Sequence, residues 1–483
     1  VTSETDASEQ LATWWSRPSG GRDIWRIALP LVISTASWTL MHFMDRVFLS
    51  WHSTAAVAAS MPAGMLYFSL LCCPLGIASY VTTFIAQYFG ANRPDRIGLV
   101  LWQGIWIGLA AVPLFVLFVP IAPTLFSLAG HEADVAKLET TYFQVVAFGG
   151  GAAVMAAALG SFFTGLGHAR VVMLVNLVGS LLNIVLNWIL IFGHFGVPEM
   201  GIAGAALGTV ISEWAKVAIF GWVLNRSEFA VSYSIHAGRR WDGELFWRLI
   251  RFGGPSGLQM FIETTAFTIF LFQLGTLGAD ALAATTISFG INSLAFVPML
   301  GLGMAVTTLV GQQLGANAPE LAERATRTSF VLGAAYTSLW AAAYWFVPDV
   351  FLAAYSLGDD PVRHQEVHAM CVLLLRLIAF YSFLDMTHIV FVSAIKGAGD
   401  TRFVLLTTIL IAPIPIALGW LGTSVFHWTL IHFWMVITSW ICAIGIIYFL
   451  RYHFGPWRTM RVIEDSVLPD STALTTATET PVF

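Results

Sequence analysis

Residues 306–319 read VTTLVGQQLGANAP, and residues 81–94 read VTTFIAQYFGANRP. The two agree at eight of fourteen positions across an offset of 225 residues. That offset also sets Arg26 on Arg251 and Pro30 on Pro255. A second pair, GLGHAR at 165–170 and GAGDTR at 397–402, aligns at an offset of 232. Self-similarity at a fixed spacing marks a duplicated unit. The chain reads as two copies of one element.

Composition says what the element is made of. The 483 residues are 57% hydrophobic and 11% charged, with a mean hydropathy of +0.76. A soluble domain carries about a quarter charged residues. Charge is absent from 47–92, 97–131, 140–169, 171–198, 281–319 and 403–450. A membrane-crossing helix needs ~20 apolar residues, so each stretch holds one span and the last holds two. Turn signals then predict twelve spans. In the first half they are 24–49, 57–89, 97–120, 138–164, 170–193 and 201–224. In the second they are 244–277, 281–314, 323–347, 364–396, 403–424 and 428–452. The fold class expected is an all-α polytopic membrane protein: twelve transmembrane helices in two six-helix pseudo-symmetric lobes.

Six is even, so both copies point the same way and pack about an axis along the membrane normal, with a cavity between them. The expected organisation is a polar N-terminal segment (1–23), an N-lobe (24–224), a linker (225–243), a C-lobe (244–453) and a disordered tail (454–483). With the N-terminus inside, eighteen of the twenty-three basic residues fall in cytoplasmic segments. These include Arg93, Arg96, Arg239, Arg240, Arg324, Arg327, Lys396 and Arg402. External loops keep Lys137 and Arg363, while Arg46, Lys216 and Arg376 lie on or near spans. Positive charge stays inside, so both termini are expected in the cytoplasm of a cell with this chain in its inner membrane.

Other classes are excluded early. Cys72, Cys73, Cys371 and Cys442 all lie in apolar runs, without disulfide or metal spacing. The first residues lack the basic-then-apolar pattern of a signal peptide. A net charge of −5 says nothing about partners, and no nucleic-acid partner is expected. In the repeated Gly-Ala-Asn element, Gly90 and Gly315 suit helix C-caps, and Pro94 and Pro319 stop the helix.

Three acids break the apolar spans: Asp45, Glu263 and Asp385. Glu263 is the only charged residue between Arg251 and Asp280. A charge at bilayer depth costs about 2.5–3.5 kcal/mol on insertion scales, so such residues face a cavity or each other. Burial raises a carboxylate's pKa and a nearby cation lowers it. Such a group can exchange a proton for a bound ion. Asp45 precedes Arg46, which leaves a surface pair open there. Arg376 lies on the helix face opposite Asp385. Glu213 and Lys216, spaced i,i+3, can pair on one helix face.

These residues lie within longer motifs: FMDRVF at 43–48, LLNIVLNWILIFGHFGVPEMG at 181–201, FIETTAF at 261–267 and YSFLDMTHIVFVSAIKGAGDT at 381–401. With the two GAN elements, the chain resembles the multidrug and toxic compound extrusion (MATE) family over about residues 20–455, most closely its bacterial NorM-type branch. The resemblance implies two lobes in a V and an antiporter that expels amphipathic, often cationic compounds in exchange for Na⁺ or H⁺. It implies a C-lobe cation site at Glu263, Tyr381 and Asp385, with Na⁺ at Glu263 and Asp385. It implies an N-lobe site at Asp45, Asn183 and Asn187, where some relatives carry aspartate in place of Asn187.

The repeat adds that the halves share scaffold but not charge. At offset 225 Glu263 falls on Trp38 and Asp45 on Phe270; at offset 232 Asp385 falls on Ala153, Asn183 on Pro415 and Asn187 on Gly419. Sodium wants several oxygen ligands, for which Thr264 and Thr265 are candidates beside the acids. His42, three residues before Asp45, and His388, three after Asp385, hint at protons instead. No cofactor beyond the ion and no enzymatic activity are expected. The expected partners are small organic molecules and lipids, with the chain monomeric. A lipid-linked oligosaccharide flippase would want a basic central cavity, and no Arg or Lys cluster lies at midplane. A membrane-embedded transferase would have only His42-Phe43-Met44-Asp45 to work with.

Overall fold

A computed structural model describes residues 13–128, 132–226, 228–353 and 361–464. The first-half helices are α1 (Gly21–His52), α2 (Thr54–Ser79), α3 (Val81–Gly90), α4 (Pro94–Phe118), α5 (Ala122–Leu128), α6 (Ala133–Gly165), α7 (Ala169–Phe192) and α8 (Gly201–Arg226). A short α9 (Phe229–Ser232) lies in the connection. The second half holds α10 (Gly243–Gly275), α11 (Ala279–Gly315), α12 (Pro319–Phe346), α13 (Pro348–Leu352), α14 (Pro361–Ala398), α15 (Thr401–Ile411), α16 (Pro413–Leu421) and α17 (Leu430–Phe454). No strand occurs among the described residues.

In lipid every backbone N–H and C=O must be satisfied internally, so long apolar runs fold as helices. Eleven spans among the described residues are long and apolar enough to cross a membrane, counting α2 with α3 and α15 with α16 as single spans. The remaining expected span falls on α12, a 28-residue helix diluted by Glu320, Glu323, Arg324 and Arg327 in its first three turns. Ser53 caps α2 through the Ala56 amide (3.4 Å), and Asp242 caps α10 through that of Leu245 (3.0 Å).

The duplication is visible as packing. In the first half α1 lies on α7, α2 on α6, and α6 on both α4 and α8; in the second α10 lies on α15, α11 on α14, and α14 on both α12 and α17. The halves are joined chiefly by α1 on α11, α2 on α10 and α3 on α11. The first two are the same crossing taken twice. Gly76 of α2 packs against Gly257 of α10, and Gly301 of α11 packs against Val32 of α1. Adding 225 to 76 gives 301, and to 32 gives 257. Small residues let backbones approach where lipid offers no hydrophobic drive to helix association.

The GAN elements complete the seam by reciprocal contacts. Gln87 Nε2 donates to the Gly397 carbonyl (3.0 Å), and Gln312 Nε2 donates to that of Gly165 (2.8 Å). Gln312 is Gln87 plus 225, and Gly397 is Gly165 plus 232. A Cβ on Gly90 would collide with the Gln312 carbonyl, and one on Gly315 with that of Gln87. This corrects the expectation that these glycines cap helices. The left-handed residues that end α3 and α11 are Asn92 (φ 53) and Asn317 (φ 55), a conformation asparagine tolerates. Gly90 and Gly315 are small because the other half's backbone occupies the Cβ position. Pro94 and Pro319 start the next helices, as Pro at N1 should.

The cross-lobe glycine contacts fall toward the GAN-proximal ends of α1, α2, α10 and α11, and the cross-lobe hydrogen bonds extend to about the middle of these helices. Thr35 to the Val297 carbonyl (3.4 Å) and Cys72 Sγ to Thr264 Oγ1 (4.0 Å) are the outermost of them. The lobes thus form a V closed at the GAN end. The connection between them lies over α4: Gly98 N–H meets the Tyr233 carbonyl (3.1 Å), and Trp102 Nε1 meets that of Ile235 (2.8 Å).

The tail differs from expectation in part. Residues 454–464 are ordered, because Trp457, Val462 and Ile463 are buried against the body. The rest of the expected tail, 465–483, and residues 1–12 lie outside the described residues.

Gly90→Ala is expected to lower the apparent melting temperature of the purified chain by about 2–10 °C, the cost of overpacking against backbone. Gly64→Ala, where a Cβ meets nothing within 4 Å, should leave it unchanged. Differential scanning fluorimetry of the two variants in one detergent checks this; equal effects would contradict the seam.

Candidate functional site

The N-lobe site is built where α1 faces α7. Asn183 and Asn187 sit one turn apart on α7, both fully buried. Asn187 Nδ2 donates to Asp45 Oδ1 (2.5 Å). One amide atom of Asn183 lies 2.9 Å from the same oxygen, and a carboxylate only accepts, so that atom is the nitrogen. The Asn183 oxygen then accepts from the Thr209 N–H and hydroxyl (3.3 Å each) on α8. Asp45 is held by two buried amides rather than by Arg46. His42 Nδ1 lies 3.6 Å from Asp45 Oδ2, at the more exposed side of the site. Gly208 leaves room for this arrangement: a Cβ there would collide with Asn187 Oδ1.

The C-lobe holds two acids in separate surroundings. Glu263 Oε1 accepts from Gln259 Nε2 (2.8 Å), one turn earlier on α10, and from Thr408 Oγ1 (3.1 Å) on α15. Lys396 of α14 and Tyr448 of α17 lie within electrostatic range of it. Asp385, 17% exposed, pairs with His388 Nδ1 at 3.7 Å. It lines a cavity of about 20 Å³ with Asn292, Thr337, Ser382 and the aromatic rings of Tyr336 and Trp340. That is room for roughly one water.

Tyr381 is buried one turn before Asp385. No hydrogen bond joins Glu263 to Asp385 or Tyr381 among the described residues. What stands between the acids is a ring pair: His388 stacks on Tyr448 (5.4 Å, 18° between planes). Nor do Thr264 and Thr265 bond to Glu263; Thr264 instead meets Cys72 of the other lobe. The hydroxyl at Glu263 comes from α15. Among the described residues no three His, Cys, Asp or Glu side chains gather as a metal site.

One feature recurs in both lobes. Asn187 Oδ1 and Gln259 Oε1 are buried acceptors without a hydrogen-bond donor. Each belongs to an amide whose nitrogen is committed to a carboxylate. An unmet buried acceptor costs about 1–3 kcal/mol, and here each sits on the same amide that donates to the carboxylate.

The cradle of Glu263 also has a counterpart without the acid. Ser34 Oγ accepts from Asn176 Nδ2 (2.7 Å); Ser34 is Gln259 minus 225, and Asn176 is Thr408 minus 232. The polar pair was duplicated, while the charge belongs to one lobe. Glu213 and Lys216 pair at 2.6 Å, as their spacing predicts. Arg376 is exposed and lies over the Trp345 ring (5.7 Å). Sequence reading missed Gln259, Thr408, Lys396, Thr209 and Tyr448. Only Gln259, at i−4 from Glu263, carried a readable signal.

Two homologous helical lobes, joined at one end and each holding its own half-buried carboxylate, define a polytopic membrane protein built on duplicated lobes. Comparison places it within that class. The family model MatE matches residues 30–189 and 255–421. The chain belongs to the MatE family, a family of transporters. It is 28% identical over 443 residues to "Probable multidrug resistance protein NorM" of Burkholderia mallei (strain ATCC 23344), covering 89% of this chain and 92% of that relative. It is 27% identical over 444 residues to "Multidrug resistance protein NorM" of Burkholderia vietnamiensis, covering 89% and 93%. The solved outward-facing structure of a multidrug resistance MATE family transporter of the MOP superfamily superposes with a TM-score of 0.80 at 21% identity, covering 90% of this chain and 95% of that one.

Gly208→Ala should push the Asn187 amide off Asp45 and slow transport about 10–100-fold, the value of a hydrogen bond to a charge. Dye efflux from vesicles containing the variant checks it; efflux at the parent rate would show that the amide does not serve Asp45.

Proposed function

We propose that the chain is a secondary active antiporter that exports amphipathic, often cationic small organic compounds in exchange for H⁺ or Na⁺. The observation that carries the reading is the pair of carboxylate–amide sites, Asp45 with Asn187 and Glu263 with Gln259, each amide keeping an unmet acceptor oxygen. The printed names of the NorM relatives support the substrate class. The chain works as a monomer in the cytoplasmic membrane, with both termini inside and the V open to the outside.

In the cycle, an ion or proton enters from the open end and neutralises the acids. Charge removed from low dielectric no longer opposes the rearrangement that swings the lobes. The compound then enters from the inside, displaces the ion, and leaves when the lobes return. Competition between the two ligands couples their fluxes. Lys396 near Glu263 supplies a balancing charge once the ion has gone, which lowers the cost of an empty buried carboxylate. Of the two ions, the histidines favour the proton. His42 and His388 each stand within 4 Å of an acid, and imidazole titrates near physiological pH.

Glu263→Gln keeps the shape and the Gln259 and Thr408 neighbours but removes the charge. Gradient-driven efflux in reconstituted vesicles is expected to fall about 10–100-fold, with expression intact. Transport equal to the parent would remove Glu263 from the coupling site.

A further inference from the structure

The seam is two-fold in its glutamines and glycines but not in what reaches them. After α17 the chain turns at Gly455 and Pro456 and enters a short 3₁₀ turn, Trp457–Thr459. Trp457 is buried, its indole N–H bonded to the Tyr452 carbonyl (2.6 Å) and its ring stacked on that of Tyr452 (4.6 Å, 15°). Arg458 pairs with Glu323 of α12 (2.8 Å).

The next residues run back into the seam between the lobes. The Val462 N–H donates to Gln87 Oε1 (2.8 Å). Gln87 is the residue whose Nε2 already crosses to Gly397, so both ends of its amide are engaged. Val462 and Ile463 are 1% and 4% exposed. A Cβ on Gly399 would fall 2.8 Å from Val462 Cγ1. The Glu464 carboxylate then touches both lobes. It accepts from the Tyr88 hydroxyl (2.7 Å) on α3 and pairs with Arg248 of α10.

Among the described residues Gln312, the counterpart of Gln87, receives no such segment. The chain that leaves the first half docks outside α4, where Gln103 Nε2 meets the Arg240 carbonyl (3.0 Å). Among the described residues the asymmetry is built by residues 457–464.

We propose that residues 457–464 are a latch, which holds the lobes together at the closed end and must leave the seam before they can part there. Val462 and Glu464 bond to the first lobe while Arg458, Glu464 and the Gly399 contact bind the second. Separation at this end therefore breaks the latch on at least one side. Its release becomes a step of the cycle that the second-half chain controls and the first-half chain does not. The latch concerns lobe separation, whatever is carried; only its effect on turnover rests on the antiport reading.

The test measures distance, not transport. Asp95 and Glu320, exposed first-turn residues of α4 and α12 related by 225, are replaced by spin-labelled cysteines. The four native cysteines are removed first, and electron–electron resonance gives the separation across the closed end. In the otherwise unaltered chain a single short distance should dominate. Glu464→Ala, and separately a chain truncated after Thr459, should raise the long-distance population about tenfold, the worth of a charge-assisted hydrogen bond. Glu464→Ala keeps the buried Trp457 anchor, so it reports even if the truncated chain does not fold. A distance distribution unchanged in Glu464→Ala would overturn the latch, and would leave the antiport reading standing.

Discussion

Two glutamine side chains hold this molecule's geometry. Gln87 and Gln312 each reach across the seam to a carbonyl at the end of a helix of the other half, Gly397 on α14 and Gly165 on α6. The last carbonyls of a helix have no partner of their own, and in an apolar setting an unmet one is costly. Closing the seam supplies the missing donors from the opposite lobe. The bonds form only because Gly90 and Gly315 let the backbones meet. A hydrogen bond is worth about 0.5–1.5 kcal/mol net, so the pair contributes about 1–3 kcal/mol. That is enough to bias a two-state equilibrium and small enough for a ligand to reverse it. A seam of this strength is a pivot rather than a weld.

The charged groups do not follow the seam's symmetry. Each lobe has a carboxylate bonded by a buried amide, but at unrelated positions of the repeat. The Ser34–Asn176 pair stands where Gln259 and Thr408 hold Glu263. With Trp38 in the acid's place, that cradle holds no carboxylate. Duplication gave two lobes on one scaffold. Divergence then placed Asp45 in one and Glu263 and Asp385 in the other, so that the two lobes offer different chemistry.

Much of this was legible in the residues. The offset of 225 disclosed the duplication, and its most repeated residues turn out to be those that make the reciprocal contacts of the seam. Charge-free lengths located the spans, because lipid leaves the backbone no other choice. The Glu213–Lys216 pair was legible from spacing alone. Partners that come from a distant helix were not. Nothing near Thr408 or Lys396 announces that either lies beside Glu263, since only packing sets which face of α15 or α14 meets α10. The resemblance groups Glu263, Tyr381 and Asp385 as one site; in the structure Asp385 pairs with His388, whose ring stacks on Tyr448. The small size of Gly90 was legible, but its cause was not: a helix cap and a close backbone approach select the same residue. The order of residues 454–464 was hidden because their polarity resembles a tail, and only Trp457, Val462 and Ile463 carry the burial.

The central claim is that an ion gradient drives a compound against its own gradient through exchange at these carboxylates. Purified chain in sealed vesicles, loaded with a fluorescent cationic dye at equal concentration on both sides, tests it most directly. A pH gradient is imposed alone, then a Na⁺ gradient alone. The account predicts that the dye is concentrated on one side under one of the two gradients, the pH gradient on the strength of His42 and His388. Dye that stays evenly distributed under both gradients would contradict it.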